Sequence, residues 1–466
     1  MRKNILLISI SIFFIFICLN IYAITLEDAQ EIAKKNNKNF LSQKANVEQA
    51  KWNEYNALTN FLPKFSLDER IVRIDDDTYN LATETFEIPV FNTDNPPQII
   101  DTLQMSSSAM FPNGIFQTTY TTTLNVIQPI FNGGKTILGY QIAKLSKNQA
   151  DLNLQNEGKN LEYQVANVYF NLLKMDEILK LSEKSLKSSK AQLRKVSEKF
   201  DVGIAKKSDV LQWKVKVEND RNTLAEMKNN LLILETIWKN LLSLDSENIS
   251  FPEKISLSKY NIEIKKYSRF SETEKETELQ KILYQTEKYN PNLKNLAITE
   301  EIAKKGYQIA KGNFLPSINL QYSRQFESDD EFDFEGTKNW TVTAIASFPI
   351  FQSGANFTNL KRSKYQFRKT KLQLGDTKEQ ILLGAENSFY GLLNKSQKVI
   401  SNKLSLENAK ENHKIINDLF EQGIVTNTEL LDAEILLFST KINLTTAYYD
   451  YILAKYELEK FTGNYE

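Results

Sequence analysis

The sequence predicts an α+β membrane protein built from two tandem copies of one structural unit. Three observations carry this prediction: short motifs recur in the same order in both halves, period-2 alternation marks strands, and alternating four- and three-residue apolar spacing marks long helices. The 466 residues include only 15 glycines and 10 prolines, which favours few turns and long elements. Basic and acidic residues number 58 each, so no overall positive charge indicates a nucleic-acid partner.

Residues 1–23 have the pattern of a secretory signal peptide. Two basic residues precede an apolar run from Ile5 to Leu19, and Ala23 is a small residue suited to cleavage. A retained membrane anchor is the alternative, although the run is short for a membrane span. The only cysteine, Cys18, lies in this run, so we expect a mature chain without disulfides.

Two pairs of motifs define the repeats. NFLP occurs at 60–63 and 313–316, an offset of 253 residues, whereas QPIFNGG at 128–134 and FPIFQSG at 348–354 are offset by 220. The first repeat therefore carries 33 additional residues between these motifs, as expected of a surface loop. We expect the mature chain to divide into a first repeat at 24–243, a linker or equatorial segment at 244–277, and a second repeat at 278–466.

Each repeat is predicted to run helix, two strands, long helix, turn and return helix. The segments 25–60 and 278–313 are predicted as the first helices, ended by Pro63 and Pro316. Apolar and uncharged polar residues alternate in most of the strand segments, as in membrane-spanning barrels, although a soluble sandwich alternates alike. The predicted strands are 63–74, which alternates poorly, 115–127, 317–328 and 338–350, with external loops at 75–114 and 328–337.

The long helices determine the predicted assembly. An apolar seam runs from Leu161 to Phe200 and resumes in the return helices, and its 3.5-residue repeat predicts left-handed supercoiling. The segments 135–200 and 355–420 would each be roughly 100 Å long, about twice the length of a return helix. Four strands cannot close a barrel in lipid, so we expect three chains to supply twelve strands and twelve helical rods.

The sequence resembles the TolC family of outer-membrane efflux proteins over nearly all of the mature chain. The resemblance is carried by TLEDAQEIAKKNN, both NFLP motifs, QPIFNGG and FPIFQSG, and two Gly-x5-acid-aliphatic turns, FDVGIAKKSDVLQ at 200–212 and FEQGIVTNTELLD at 420–432. It implies a trimeric TolC-like channel-tunnel, in which a 12-stranded β-barrel in the outer membrane continues into a 12-helix α-barrel in the periplasm. KNNKNF lacks the proline that KYNPNL keeps.

The resemblance also implies a function. It implies a passive conduit from periplasm to exterior in a tripartite efflux or type I secretion system. The implied partners are outer-membrane lipid, a periplasmic adaptor protein and an inner-membrane efflux pump or ABC exporter. A structural coiled-coil envelope protein without a pore is the alternative, but such a scaffold needs no strands with one polar face.

The two Gly-x5-acid turns are interpreted as the tips of helical hairpins. Gly203 and Gly423 suit helix ends with positive φ, and Asp209 and Glu429 suit the first turn of each return helix. The resemblance implies a periplasmic gate formed by Glu429 and Asp432. The family has a basic residue at the position of Val425. The resemblance therefore does not imply the salt bridge that closes the tunnel in the family. The implied adaptor contacts are Gly203, Asp209, Val210, Leu211, Gly423, Leu430 and Leu431.

Other polar residues have structural interpretations. His413, the only histidine, aligns with the apolar seam and is expected to pack between helices. The acidic clusters at 73–77 and 328–335 are interpreted as solvated loop tips rather than calcium sites. No metal or cofactor is expected. The sequence contains no nucleophile–base–acid set and no phosphate-binding loop, so an enzyme is disfavoured; a hydrolase using the acidic clusters is the remaining catalytic alternative.

Overall fold

A computed structural model describes residues 23–106, 115–243, 251–332, 334–335 and 337–463, so nearly all of the predicted signal peptide lies outside the described residues. The chain forms two compact units. The helical unit comprises the chain up to Val47, Ala150–Leu296 and the chain from Gly375 onward. The sheet unit comprises Glu48–Gln149 and Ala297–Leu374.

The described residues form ten helices and six strands. The helices are α1 (Leu26–Asn36), α2 (Lys38–Thr59), α3 (Asp76–Thr83), α4 (Lys135–Asp201), α5 (Lys207–Leu242), α6 (Asn261–Tyr267), α7 (Glu272–Tyr289), α8 (Pro291–Gly312), α9 (Ala355–Glu421) and α10 (Asn427–Thr462), with a 3₁₀ turn at Leu257–Tyr260. The strands are β1 (Lys64–Arg73), β2 (Thr85–Phe91), β3 (Ile99–Ser106), β4 (Thr118–Asn132), β5 (Ser317–Ser328) and β6 (Thr337–Ser347). The long helices α4 and α9 have 67 residues each, and the return helices α5 and α10 have 36 each.

The four predicted strands form one antiparallel sheet in the order β1-β4-β5-β6. The register aligns polar residues in rows across all four strands, and one row consists of Asp68, Thr123, Gln325 and Asn339. A row on the opposite face, three residues away along each strand, consists of Phe65, Val126, Tyr322 and Val342. The sheet therefore has one polar and one predominantly apolar face, and β1 follows this division although its sequence alternates poorly.

The prediction of one unbroken helix before each strand pair is wrong, because both helices break at an asparagine. Asn37 separates α1 from α2, and its Oδ1 accepts hydrogen bonds from the backbone N–H groups of Asn39 and Phe40 at 3.0 and 3.1 Å. Asn290 separates α7 from α8 in the same way, accepting from the N–H of Asn292 at 2.9 Å. Each asparagine ends one helix and caps the next.

The predicted loop at 75–114 contains secondary structure that the sequence analysis missed. Helix α3 begins after Asp75, whose side chain accepts a hydrogen bond from the Thr78 N–H. Strands β2 and β3 then form a two-stranded antiparallel sheet. Residues 107–114 of this segment lie outside the described residues.

The larger of the two clusters of buried apolar side chains lies in the helical unit. Ala29 and Ala33 of α1 belong to one buried cluster with side chains of α4, α5, α6, α7, α9 and α10, and Trp238 of this cluster is fully buried. By contrast, α2 buries none of its residues, and α9 buries none before Ala385. Among the described helices, none is both long and apolar enough to cross a membrane.

Candidate functional site: the helical tips

Both hairpin tips turn at glycine, as predicted. Gly203 has φ of 80° and Gly423 has φ of 76°, so each adopts the left-handed conformation that favours glycine. After the first glycine, the Ile204 N–H donates to the Lys199 carbonyl at 2.8 Å, and after the second, the Ile424 N–H donates to the Leu419 carbonyl at 3.0 Å. These bonds satisfy carbonyl groups at the ends of α4 and α9, so both helices end with the same hydrogen-bond pattern.

The first acid after each tip caps the return helix. The Lys206 N–H donates to Asp209 Oδ2 at 3.1 Å. In the second tip, Glu429 Oε2 accepts from the Thr426 N–H at 2.7 Å, and the Glu429 N–H donates to Thr426 Oγ1 at 3.3 Å, which is a capping box. The backbone and hydroxyl hydrogen bonds from Thr426 hold the pKa of Glu429 below its usual value, so this carboxylate stays charged.

Asp432 has a different environment from Glu429. It lies almost one helical turn further along α10, and its side chain is exposed. It forms no hydrogen bond or ion pair with any other described residue. The two predicted gate acids therefore differ: Glu429 holds the helix start together, whereas Asp432 has no structural partner in the described chain.

A small apolar core lies behind the tips. Val196, Val210, Trp213 and Leu430 are buried there, and Leu431 packs against them. Two residues of the predicted adaptor contact, Val210 and Leu430, are 4% and 0% exposed and thus serve as packing residues in the single chain. Leu211 is half exposed.

The most exposed apolar side chains of the tips are not among the predicted adaptor contacts. Val202 is 70% exposed, Ile204 is 77% exposed and Ile424 is 66% exposed. They flank the two tip glycines, so a signal was present: apolar residues in a solvated turn indicate a contact surface.

A polar layer crosses the helices behind the apolar tip core. Lys216 and Asp220, both in α5, form a buried ion pair, and the Ser185 hydroxyl donates to Asp220 Oδ2 at 3.2 Å. In the same helical unit, the Ser188 hydroxyl donates to Glu434 Oε1 at 3.1 Å. His413 Nε2 lies 3.5 Å from that oxygen, so His413 packs between helices, as predicted. Among the described residues, no three His, Cys, Asp or Glu side chains are grouped to hold a metal ion.

Comparison with known families agrees with this fold. The family model of the outer membrane efflux proteins matches residues 30–237 and 282–464. The chain therefore belongs to the outer membrane efflux protein family and is a protein of the outer membrane that extends into the periplasm.

The individual relatives have low sequence identity to this chain but align over most of its length. The outer membrane protein TolC of Escherichia coli K12 is 21% identical over 367 residues, covering 75% of this chain and 71% of TolC. The outer membrane efflux protein BepC of Brucella suis is 21% identical, covering 84% of this chain and 80% of BepC. The crystal structure of the Campylobacter jejuni CmeC outer membrane channel superposes with a TM-score of 0.73 at 17% identity, covering 94% of this chain and 85% of CmeC. The fold is thus that of the TolC-like channel-tunnels.

Proposed function

We propose that the protein is the homotrimeric channel-tunnel of a tripartite efflux or type I secretion system. In this proposal it is a passive conduit from periplasm to exterior and not an enzyme. The observation that carries the proposal is the four-stranded sheet, which has one polar face, one apolar face and two unpaired edges. A sheet with these faces can line an aqueous pore and contact lipid at the same time.

The unpaired edges support a closed assembly of several chains. Among the described residues, strands β1 and β6 each pair on one side only, and open edges are not tolerated in lipid. Pairing β6 of one copy with β1 of the next closes a barrel without adding any other element. Three copies give twelve strands, a number in the range of membrane barrels.

Two poorly buried helical segments support the same assembly. Helix α2 enters the edge strand β1, and α9 leaves the edge strand β6. Large apolar side chains are exposed on α2 and on the first part of α9, including Trp52 at 67%, Tyr55 at 49%, Tyr365 at 62% and Leu372 at 67%. In the proposed assembly these side chains are covered when α9 of one copy packs beside α2 of the next, so that the helices form a wall in the same order as the strands.

The hairpin tips supply the surface for partner proteins and the gate in this proposal. Val202, Ile204, Leu211 and Ile424 offer exposed apolar surface at the free ends of the hairpins. We assign this surface to a periplasmic adaptor protein, which couples the conduit to an inner-membrane pump or ABC exporter. The gate is assigned to Asp432 together with Glu429, because threefold symmetry would bring three copies of each carboxylate around one axis.

Planar-bilayer recording of the purified protein, combined with its mass in mild detergent, tests the proposal. A trimer that inserts and conducts ions is expected. A well-folded protein that is monomeric at all concentrations, or a trimer that never conducts, would instead favour a structural envelope protein.

A further inference from the structure

A cavity of about 370 Å³ lies in the helical unit, away from the tips. Its charged and aromatic lining consists of Glu27 of α1, Glu162 of α4, Tyr260 of the 3₁₀ turn, and Lys455, Tyr456 and Glu459 of α10. This volume falls within the range of small-molecule binding cavities, about 300–1,000 Å³.

The negative charge of this cavity is not balanced by the described residues. Glu162 forms an ion pair with Lys34, and Lys455 Nζ lies 3.1 Å from Glu263 Oε1. The remaining two carboxylates, those of Glu27 and Glu459, form no hydrogen bond or ion pair with any described residue. Two of the three acids of the cavity therefore have no direct ion pair, and Lys455, the one lysine in the lining, contacts Glu263 instead.

The free-energy penalty of holding a carboxylate without an ion pair falls mainly on Glu459. Burial raises the pKa of its carboxyl to about 7, Lys455 lowers it in part, and Glu263 raises it further. A partly desolvated carboxylate without a direct ion pair is unfavourable, and a bound cation would relieve that penalty.

The tyrosine rings that line the cavity indicate which class of cation it would bind. Tyrosine rings attract ammonium groups, and Lys259 Nζ already lies 5.0 Å from the centroid of the Tyr260 ring. The second ring, Tyr456, packs against Phe170 at 5.4 Å between centroids and also lines the cavity. Two carboxylates beside tyrosine rings suit an organic cation better than a metal ion, which needs more oxygen ligands.

We propose that this cavity binds a small organic cation of the alkylamine class. Its ammonium group would lie between Glu27 and Glu459, and its alkyl part would lie against the Tyr456 ring. Bound there, it would connect α1 to α10. The inference is independent of whether the protein conducts ions.

Calorimetric titration of the assembled protein in amine-free phosphate buffer at pH 8 tests the inference. The probe is 1,5-diaminopentane, and the neutral control is 1,5-pentanediol. We expect saturable binding of the diamine and none of the diol. Glu459→Gln and Glu27→Gln should each weaken binding about tenfold, the effect of losing one charged hydrogen bond. Glu457→Gln, at an exposed position of the same helix, should leave it unchanged.

Three results would overturn the inference. The first is an absence of saturable diamine binding to correctly assembled wild type. The second is equal binding by Glu459→Gln and Glu457→Gln. The third is displacement of the diamine by Ca²⁺ at equal concentration with no effect of Tyr456→Leu, which would define an inorganic cation site. As a further readout, lowering the pH from 8 to 6 should weaken diamine binding in wild type but not in Glu459→Gln.

Discussion

The indole Nε1 of Trp213 donates a hydrogen bond of 2.6 Å to Asn427 Oδ1, and this bond joins the two helical tips. Trp213 lies in α5 of the first hairpin, and Asn427 is the first residue of α10 in the second. Both side chains are buried, and Asn427 Nδ2 also donates to Gln212 Oε1 at 2.8 Å. The start of the second return helix is therefore tied to the first hairpin by side chains rather than by backbone.

Removing this link should loosen the tips. Asn427→Ala leaves the Trp213 N–H buried without an acceptor, which costs about 1–3 kcal/mol. We expect a larger and noisier single-channel conductance, since the second tip is then held less firmly beside the first. Thr428→Ala, at the exposed neighbouring position, is the control. Equal conductance of the two variants would show that the bond does not hold the tips.

The two helix-breaking asparagines should differ in importance. Asn290 is 3% exposed, and its Nδ2 also donates to the Phe461 carbonyl at 2.9 Å, whereas Asn37 is partly exposed. Loss of a cap costs about 1 kcal/mol. Asn290→Ala also removes a buried hydrogen bond, a further cost of about 1 kcal/mol. We therefore expect the temperature at which the oligomer dissociates on a detergent gel to fall more for Asn290→Ala than for Asn37→Ala. The reverse order would contradict this assignment.

These breaks show where sequence reasoning reached its limit. Strands and long helices were predictable because their periodicity is sustained over ten residues or more. A break at Asn37 leaves the helical pattern on both sides intact, and asparagine is tolerated in helices, so no local signal separated α1 from α2. Pro291 was a visible signal for the second break, since proline is favoured in the first turn of a helix.

The missed β2–β3 hairpin and the tip core have other causes. Pro89 lies within β2, and proline argues against a strand. At the tips, the 220-residue offset between the repeats aligns Val210 with Leu430, but an apolar residue near a turn can face either its own hairpin or a partner. Only the packing of both against Trp213 decides that they face inward.

The free energy of unfolding should depend on pH through Glu459. The pKa of this carboxyl is raised by burial to about 7, against an ordinary value of 4.5. Between these values the folded protein binds more protons than the unfolded chain, so stability should fall as the pH rises from 4.5 to 7 and stay level above it. Glu459→Gln should remove this decline. The test is the thermal unfolding temperature in citrate–phosphate buffer, because amine buffers would occupy the proposed cation cavity. A decline that persists in Glu459→Gln would assign it to another group.

Assembly should fail when charge is placed on α2. Trp52 is 67% exposed in the single chain, so Trp52→Glu should leave the fold of one chain unchanged. In the proposed trimer this position is covered by the next copy, where an unpaired charge is costly. We expect monomers on mass measurement in mild detergent. Asn53→Glu is the control, because Asn53 lines a polar groove within its own chain. Trimers formed equally by both variants would exclude α2 from the interface.

The last prediction separates the two gate acids. Glutamine can replace glutamate in a capping box, so Glu429→Gln removes the charge while keeping the helix start. Asp432→Asn removes a carboxylate that has no partner among the described residues. Three carboxylates brought together repel one another, by about 4 kcal/mol for a pair 4 Å apart at an effective dielectric of 20. Cations passing through the entrance would relieve that repulsion.

We therefore expect Asp432→Asn alone to weaken cation selectivity and block by multivalent cations, and the double variant with Glu429→Gln to weaken them further. The dissociation temperature should not fall, since neither change removes a packing contact and each removes carboxylates that repel one another in the assembled entrance. Glu429→Ala, which also removes the cap, should additionally destabilise the start of α10. If the correctly assembled double variant matches wild type in conductance, selectivity and block, then Glu429 acts only as a cap and Asp432 lies away from the conduction path.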